Sequence, residues 1–149
     1  FYPATVEFAG TVWPTSEHLY QAAKFYDRPE IAKFVLKADT PKRSKEIAWK
    51  YPARANWDRV RVAVMMDTVG LKISQHKAKS FSLFEQARQK TINRHPFVEN
   101  SSRNRYWGAT LVGNEYVGEN FLGRIWNLYY NQWLNTGDIE LKLSDVLPV

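Results

Sequence analysis

Trp13-Pro14-Thr15-Ser16-Glu17-His18-Leu19-Tyr20-Gln21-Ala22-Ala23-Lys24-Phe25 reads as the opening of a helix with one face for packing and one for chemistry. Pro14 ends whatever strand precedes it, and Thr15 or Ser16 supplies a hydroxyl for an orphan backbone N–H of the first turn. Glu17, Gln21 and Lys24 recur at i, i+4 and i+7 on one side, while Leu19, Ala22, Ala23 and Tyr26 offer an apolar side to a core. The positive end of the helix dipole favours a carboxylate at Glu17. Two readings of the polar side follow: a solvated stripe with ordinary capping, or an acid, an imidazole, an amide and an ammonium gathered for a reaction.

Upstream, Thr5 to Phe8 alternates apolar and polar, Ala9-Gly10 turns, and Thr11 to Trp13 returns, which predicts a short hairpin feeding the helix. Downstream, Pro29 opens a second helix to about Leu36, and Thr40-Pro41 caps a basic third one that runs through Trp49 before Pro52 closes it. Asn56 is placed to cap the longest helix, where Trp57, Val60, Val64 and Leu71 form a stripe that Val62, Met65, Val69 and Ile73 widen into a central element. A helix from Lys79 to Gln89, a short strand at Phe97 to Glu99, a helix capped by Asn120 from Phe121 to Leu134, and an edge strand at Ile139 to Leu143 before Pro148 complete the expected order.

Composition limits the function. A chain of 149 residues, 44% hydrophobic and 15% aromatic, suits one globular domain around one core. No apolar run approaches the roughly 20 residues of a membrane span, and no secretory pattern opens the chain. The absence of cysteine removes disulfides, thiolate nucleophiles and cysteine-bound metals, and it makes the cytoplasm the expected location. Three histidines, His18, His76 and His95, stand at no metal-ligand spacing. The net charge of +6 points to phosphate-bearing partners, and six Trp and eight Tyr suit stacking on bases as well as filling a core.

Taken in order, Phe1-Tyr2-Pro3; Trp13-Pro14-Thr15-Ser16-Glu17-His18 with Gln21-Ala22 and Lys24-Phe25; Thr40-Pro41; Arg54 with Asn56-Trp57-Asp58; Lys72 with Gln75-His76; Val98-Glu99; Tyr106-Trp107-Gly108; and Gly118, Asn120, Leu122 and Gly123 resemble the NADAR family, also called YbiA-like. The resemblance runs over nearly the whole chain. It implies one compact, predominantly helical α+β domain with a few short strands, which hydrolyses N-glycosidic bonds without metal or redox cofactor. It also places the start of the chain inside the family's first motif, so that a leading strand is expected to be missing.

By that resemblance Glu17 is the catalytic carboxylate, and His18, Gln21, Lys24, Arg54, Trp57 and Trp107 line the substrate. The chemistry is consistent: breaking such a bond builds positive charge on the ribose carbon, which a carboxylate stabilises or relieves by activating water. The residues by themselves leave Trp57 either a stacking platform or a core residue. Asn104, where the family usually carries Asp, is by the same resemblance the second catalytic candidate; it can orient substrate or water by hydrogen bonds but cannot carry charge or exchange a proton. Arg103 and Arg105 flank it, and Ala48-Trp49 stands where relatives have Gly-Arg. Gly118-Glu119-Asn120 reads as an anion seat at a helix N-terminus or as a plain cap, and Gly123 as room for a ligand or for a neighbouring backbone.

The expected substrate is ADP-ribose attached to guanine in nucleic acid. A phosphoribosylaminopyrimidine intermediate of riboflavin synthesis is the alternative. A third possibility, motivated by Asn104, is a module that binds ADP-ribose or nucleic acid without cleaving.

Overall fold

The computed structural model describes residues 2–147; Phe1 of the first motif, Pro148 and Val149 lie outside the described residues. Within that span the fold is α+β and predominantly helical. The chain runs β1 (Val6–Phe8), β2 (Thr11–Trp13), α1 (Ser16–Ala23), α2 (Pro29–Leu36), α3 (Pro41–Ala48), α4 (Trp57–Gln75), α5 (Lys77–Lys90), β3 (Thr110–Val112), β4 (Glu115–Val117) and α6 (Phe121–Thr136). It divides into two packed units: one takes in the chain through His76 together with the segment from Leu141, and the other is Lys77–Glu140.

In the first unit β1 and β2 form the predicted antiparallel hairpin, with Val6 opposite Trp13. Its turn puts Ala9 at φ 50° and Gly10 at φ 79°, a left-handed pair that matches the twist of the strands. Thr15 caps α1, its Oγ1 accepting from His18 N at 3.3 Å, and Thr40 caps α3 in the same way on Arg43 N at 3.0 Å. Helices α2, α3 and α4 all pack on α1. The C-terminal half of α4 is buried on nearly every side from Val64 to Ile73, as its broad apolar pattern predicts.

The end of α4 clamps the start of the chain. Gln75 exchanges two bonds with the backbone of Glu7, donating Nε2 to its carbonyl at 2.7 Å and accepting its N–H at 2.8 Å. His76 Nε2 donates to Thr5 O at 2.6 Å, and the buried Lys72 ammonium donates to Tyr2 O while lying 4.2 Å from the Tyr2 ring centroid. Lys72, Gln75 and His76 thus fix the hairpin rather than face a ligand.

His18 ties three elements together. Its ring is fully buried. Nε2 lies 2.9 Å from Ala38 O, and because a carbonyl can only accept, Nε2 donates. Nδ1 shares a 2.8 Å bond with the Thr15 hydroxyl. One imidazole therefore joins the capping residue of α1 to the segment between α2 and α3.

In the second unit the core is aromatic. Phe84 of α5 packs against Trp126, Tyr130 and Trp133 of α6 and against Phe97, with ring centroids 5.6–6.1 Å apart. Several local expectations are corrected here. Phe97 to Glu99 is not a strand; the only bridge nearby among the described residues joins Asn100 to Ala109. Ile139 to Leu143 is likewise outside any strand, and Glu140 N instead donates to Gln132 Oε1 at 3.0 Å. The β3–β4 hairpin was not expected, and neither Asn56 nor Asn120 caps its helix with its side chain.

Replacing His18 by Ala strands the Ala38 carbonyl and opens a void in the first unit. The expected loss is about 3 kcal/mol in urea unfolding. A loss below about 1 kcal/mol would contradict the framework role of this imidazole.

Candidate active site

Helix α1 and the turn that follows it bury His18, Ala22 and Phe25 fully, and this leaves Glu17, Gln21 and the C-cap residue Lys24 together on the adjacent side. Gln21 Nε2 donates to Glu17 Oε1 at 2.7 Å, so the carboxylate of the first turn is held by the amide one turn on. Gln21 is itself only 2% exposed, and its Oε1 is buried without a protein partner. Because a carboxylate only accepts, Nε2 must face Glu17, and Oε1 is left as an unmet acceptor beside it. A hydroxyl of a sugar or a water satisfies such a group.

Lys24 completes this side. Burial pulls its ammonium below the ordinary lysine range, the nearby Glu17 carboxylate pushes it back up, and the charge of Lys45 on α3 adds to the lowering. Its Nζ lies 5.7 Å from the Trp57 ring centroid and 5.9 Å from that of Tyr20. The Tyr20 and Trp57 rings meet at 5.3 Å with a 57° tilt. Trp57, at the first position of α4, is half-buried. It is therefore neither sealed in the core nor a free surface side chain.

The structure brings Glu17, Gln21, Lys24 and Trp57 into one cluster and gives two neighbouring candidates other work. His18 has both ring nitrogens bonded within the protein. Arg54 is buried: its Nε donates to Asn56 Oδ1 at 2.8 Å, its Nη1 to Val146 O at 2.7 Å, and its guanidinium lies 3.7 Å from the Tyr26 ring centroid. Its backbone N–H bonds Lys24 O at 2.8 Å, so Arg54 anchors the end of α1 to the segment leading into α4. These contacts also explain why Asn56 does not cap α4, since its Oδ1 serves Arg54. Tyr20 is the member of the cluster that the sequence motifs do not single out. Its signal lies in the spacing, because Tyr20 and Lys24 are four residues apart on one helix face.

The remaining candidates form a second constellation in the other unit. Asn104 Oδ1 accepts from Tyr106 N at 3.1 Å and Trp107 N at 3.0 Å, while Asn104 O accepts from Gly108 N at 3.0 Å. This is an Asx-type turn, and it uses only acceptor capacity, so Asn provides it as well as Asp. The half-buried Trp107 stands edge-on to Tyr106 at 4.9 Å.

The start of α6 does not offer the open donors that its sequence suggests. Glu119 N donates to Arg105 O, Asn120 N to Gly108 O, Phe121 N to Tyr106 O and Leu122 N to Trp107 O, at 2.6–3.1 Å. Asn120 adopts a left-handed conformation (φ 53°), and its side chain bridges Glu99 N at 2.9 Å and Phe97 O at 3.1 Å. Gly123 and Gly118 are explained by this close packing. A Cβ on Gly123 would collide with the Asn120 side chain, and one on Gly118 would lie 2.6 Å from Gly108 O. Gly118 also has φ 137°, which disfavours any other residue.

No group of His, Cys, Asp or Glu that could hold a metal ion occurs among the described residues, and no helix there is long and apolar enough to cross a membrane. The first cluster offers a carboxylate, an amide oxygen, an ammonium and aromatic faces instead.

The chain is similar to known proteins over most of its length. The profile of the NADAR domain matches residues 2–128. N-glycosidase YbiA of Escherichia coli (strain K12) is 31% identical over 121 residues, covering 79% of this chain and 69% of that protein. A riboflavin biosynthesis protein of Vibrio vulnificus (strain YJ016) is 32% identical over 127 residues, and the match takes in 84% of this chain but only 32% of that longer protein. The NMR structure of E. coli YbiA superposes with a TM-score of 0.70 at 26% identity, over 91% of this chain and 75% of that one. With the profile extending from Tyr2 into α6, and with a solved relative sharing the same fold, the chain belongs to the NADAR domain family.

Proposed function

We propose that this chain hydrolyses the N-glycosyl bond between a ribose carbon and a base nitrogen, and that its substrate is ADP-ribose attached to guanine in nucleic acid. One observation carries the reading: a half-buried carboxylate, Glu17, is oriented by Gln21 and sits beside an ammonium that lies over two aromatic rings. The names of its relatives support the reaction class, since N-glycosidases recur among them. The net charge of +6 supports a polyanionic substrate.

In this scheme the bond between the ribose carbon and the base nitrogen breaks with its electron pair leaving on the base. Positive charge develops on the ribose carbon and ring oxygen, and the Glu17 carboxylate stabilises it. Water adds to the ribose carbon, giving one proton to Glu17 as the C–O bond forms; the departing base takes up a proton from solvent, and Glu17 returns its proton to solvent, restoring the site. Gln21 keeps Glu17 in place through its 2.7 Å bond. Lys24 meets a phosphate of the substrate or the negative charge on the leaving base. Trp57 holds a planar ring by stacking, backed by the buried Tyr20 ring that packs against it at 5.3 Å.

The riboflavin biosynthesis proteins of Vibrio vulnificus and Zea mays among the relatives favour a second reading. There the same cluster cleaves a small phosphoribosylated pyrimidine, and single-stranded DNA does not compete for the site.

Mass spectrometry of a guanine-ADP-ribosylated oligonucleotide separates the possibilities. The wild-type chain is expected to release intact ADP-ribose and restore guanine. Glu17→Gln, whose amide oxygen still accepts from Gln21, is expected to lower kcat by about 10²–10⁴ with little change in KM. An untouched oligonucleotide alongside turnover of a phosphoribosylaminopyrimidine would move the substrate to the second reading. Full activity of Glu17→Gln would remove the carboxylate from the mechanism.

Trp57→Ala is expected to raise KM roughly tenfold through lost stacking, with a thermal unfolding midpoint close to that of the wild type. A large fall in the unfolding midpoint with KM unchanged in the folded fraction would make Trp57 a packing residue.

A further inference from the structure

The most exposed indole of the first unit lies just outside the cluster and has no part in the scheme above. Trp49, the C-cap residue of α3, is 73% exposed. Its indole presents an open aromatic face to solvent, free to take a stacking partner. The inner side of α3 is made of Ser44 and Ala48, both buried and small, which lets the helix lie close to α1. Its outer side carries Lys42, Lys45 and Trp49 at i, i+3 and i+7, all exposed, with Lys50 following.

Lys45 joins this outer side to the active cluster. Its Nζ lies 5.5 Å from the Trp49 ring centroid, and its charge is close enough to Lys24 to disfavour the Lys24 ammonium. Lys24 in turn lies 5.7 Å from the Trp57 ring centroid. An indole, an ammonium, a second ammonium and a second indole thus follow one another from Trp57 outward to Trp49. The two ammonium groups repel, and a phosphate lodged between them relieves that repulsion. Ring, charge and ring in alternation match the chemistry of a single strand, whose phosphates separate successive bases. Arg43 contributes less to this field because its guanidinium pairs with Glu46 at 3.3 Å.

Resting on the nucleic-acid form of the proposed function, we infer that Trp49 is a stacking platform for a base next to the modified nucleotide, with the intervening phosphate held by Lys24 and Lys45. The platform decides polymer over small molecule. A substrate consisting of one ADP-ribosylated nucleotide has no neighbouring base to place on it.

Two measurements on the full chain test this inference. In the first, an unmodified, fluorescently labelled single-stranded DNA oligonucleotide is titrated with protein and followed by anisotropy at two salt concentrations. Trp49→Ala is expected to weaken binding roughly tenfold, Trp49→Phe to restore most of it, and Lys45→Ala to reduce the dependence of log K on log salt by about one contact. In the second, KM is compared for ADP-ribosylated guanine in the oligonucleotide and in a single nucleotide. Trp49→Ala is expected to raise only the first, leaving kcat and the single-nucleotide KM as in the wild type.

Equal anisotropy for wild type and Trp49→Ala would overturn the platform. So would an equal rise in both KM values. If the oligonucleotide binds through Trp49 while the wild type cleaves neither substrate, the platform stands and the N-glycosidase reading is the one that fails.

Discussion

A buried imidazole sets the geometry on which the first unit depends. His18 bonds Thr15 on one side and Ala38 on the other, fixing both the start of α1 and the segment that joins α2 to α3. A helix has one rotational freedom about its axis, and the inward stripe of His18 and Ala22, continued by Phe25 in the turn that follows, removes it. Glu17, Gln21 and Lys24 are each one residue before that stripe and are carried with it to the neighbouring side. Reactive groups then need no separate scaffold. Their position follows from the packing of the helix that bears them, and from Arg54, which holds the end of α1 to the entry of α4.

Much of this is legible in the sequence because it is local. Thr15 and Thr40 cap their helices, Ala9-Gly10 turns the first hairpin, and the apolar breadth of α4 announces a central element. The spacing of Glu17, Gln21 and Lys24 by itself puts them on one side of α1. What is not legible depends on competition between partners distant in sequence. Asn56 and Asn120 stand at helix starts, yet their side chains bond Arg54 Nε and the backbone of Phe97 and Glu99. Ile139 to Leu143 alternates like a strand but has no strand beside it among the described residues. The β3–β4 hairpin does carry a signal, the Gly113-Asn114 turn between Val112 and Glu115, which the neighbouring Tyr106-Trp107-Gly108 motif overshadows.

The second unit shows why a family motif need not consist of ligand contacts. Asn104, Gly108, Gly118, Asn120 and Gly123 are knit by backbone bonds and by approaches too close for a Cβ. Asn104 in place of an acid keeps both bonds that organise its turn. The motif residues of the first unit divide in the same way. Lys72, Gln75 and His76 hold the first hairpin, whereas Glu17, Gln21, Lys24 and Trp57 retain a carboxylate, an unmet acceptor, a cation and a half-exposed ring. The second set is the one proposed to meet the substrate.

A backbone-assigned NMR titration with ADP-ribose, the product of the proposed reaction, locates that chemistry directly. The largest shift changes are expected on Glu17, the Gln21 side-chain amide, Lys24 and the Trp57 indole N–H. Changes confined to the groove of about 620 Å³ lined by His95, Asn120, Arg124 and Asn131, with α1 silent, would contradict that location.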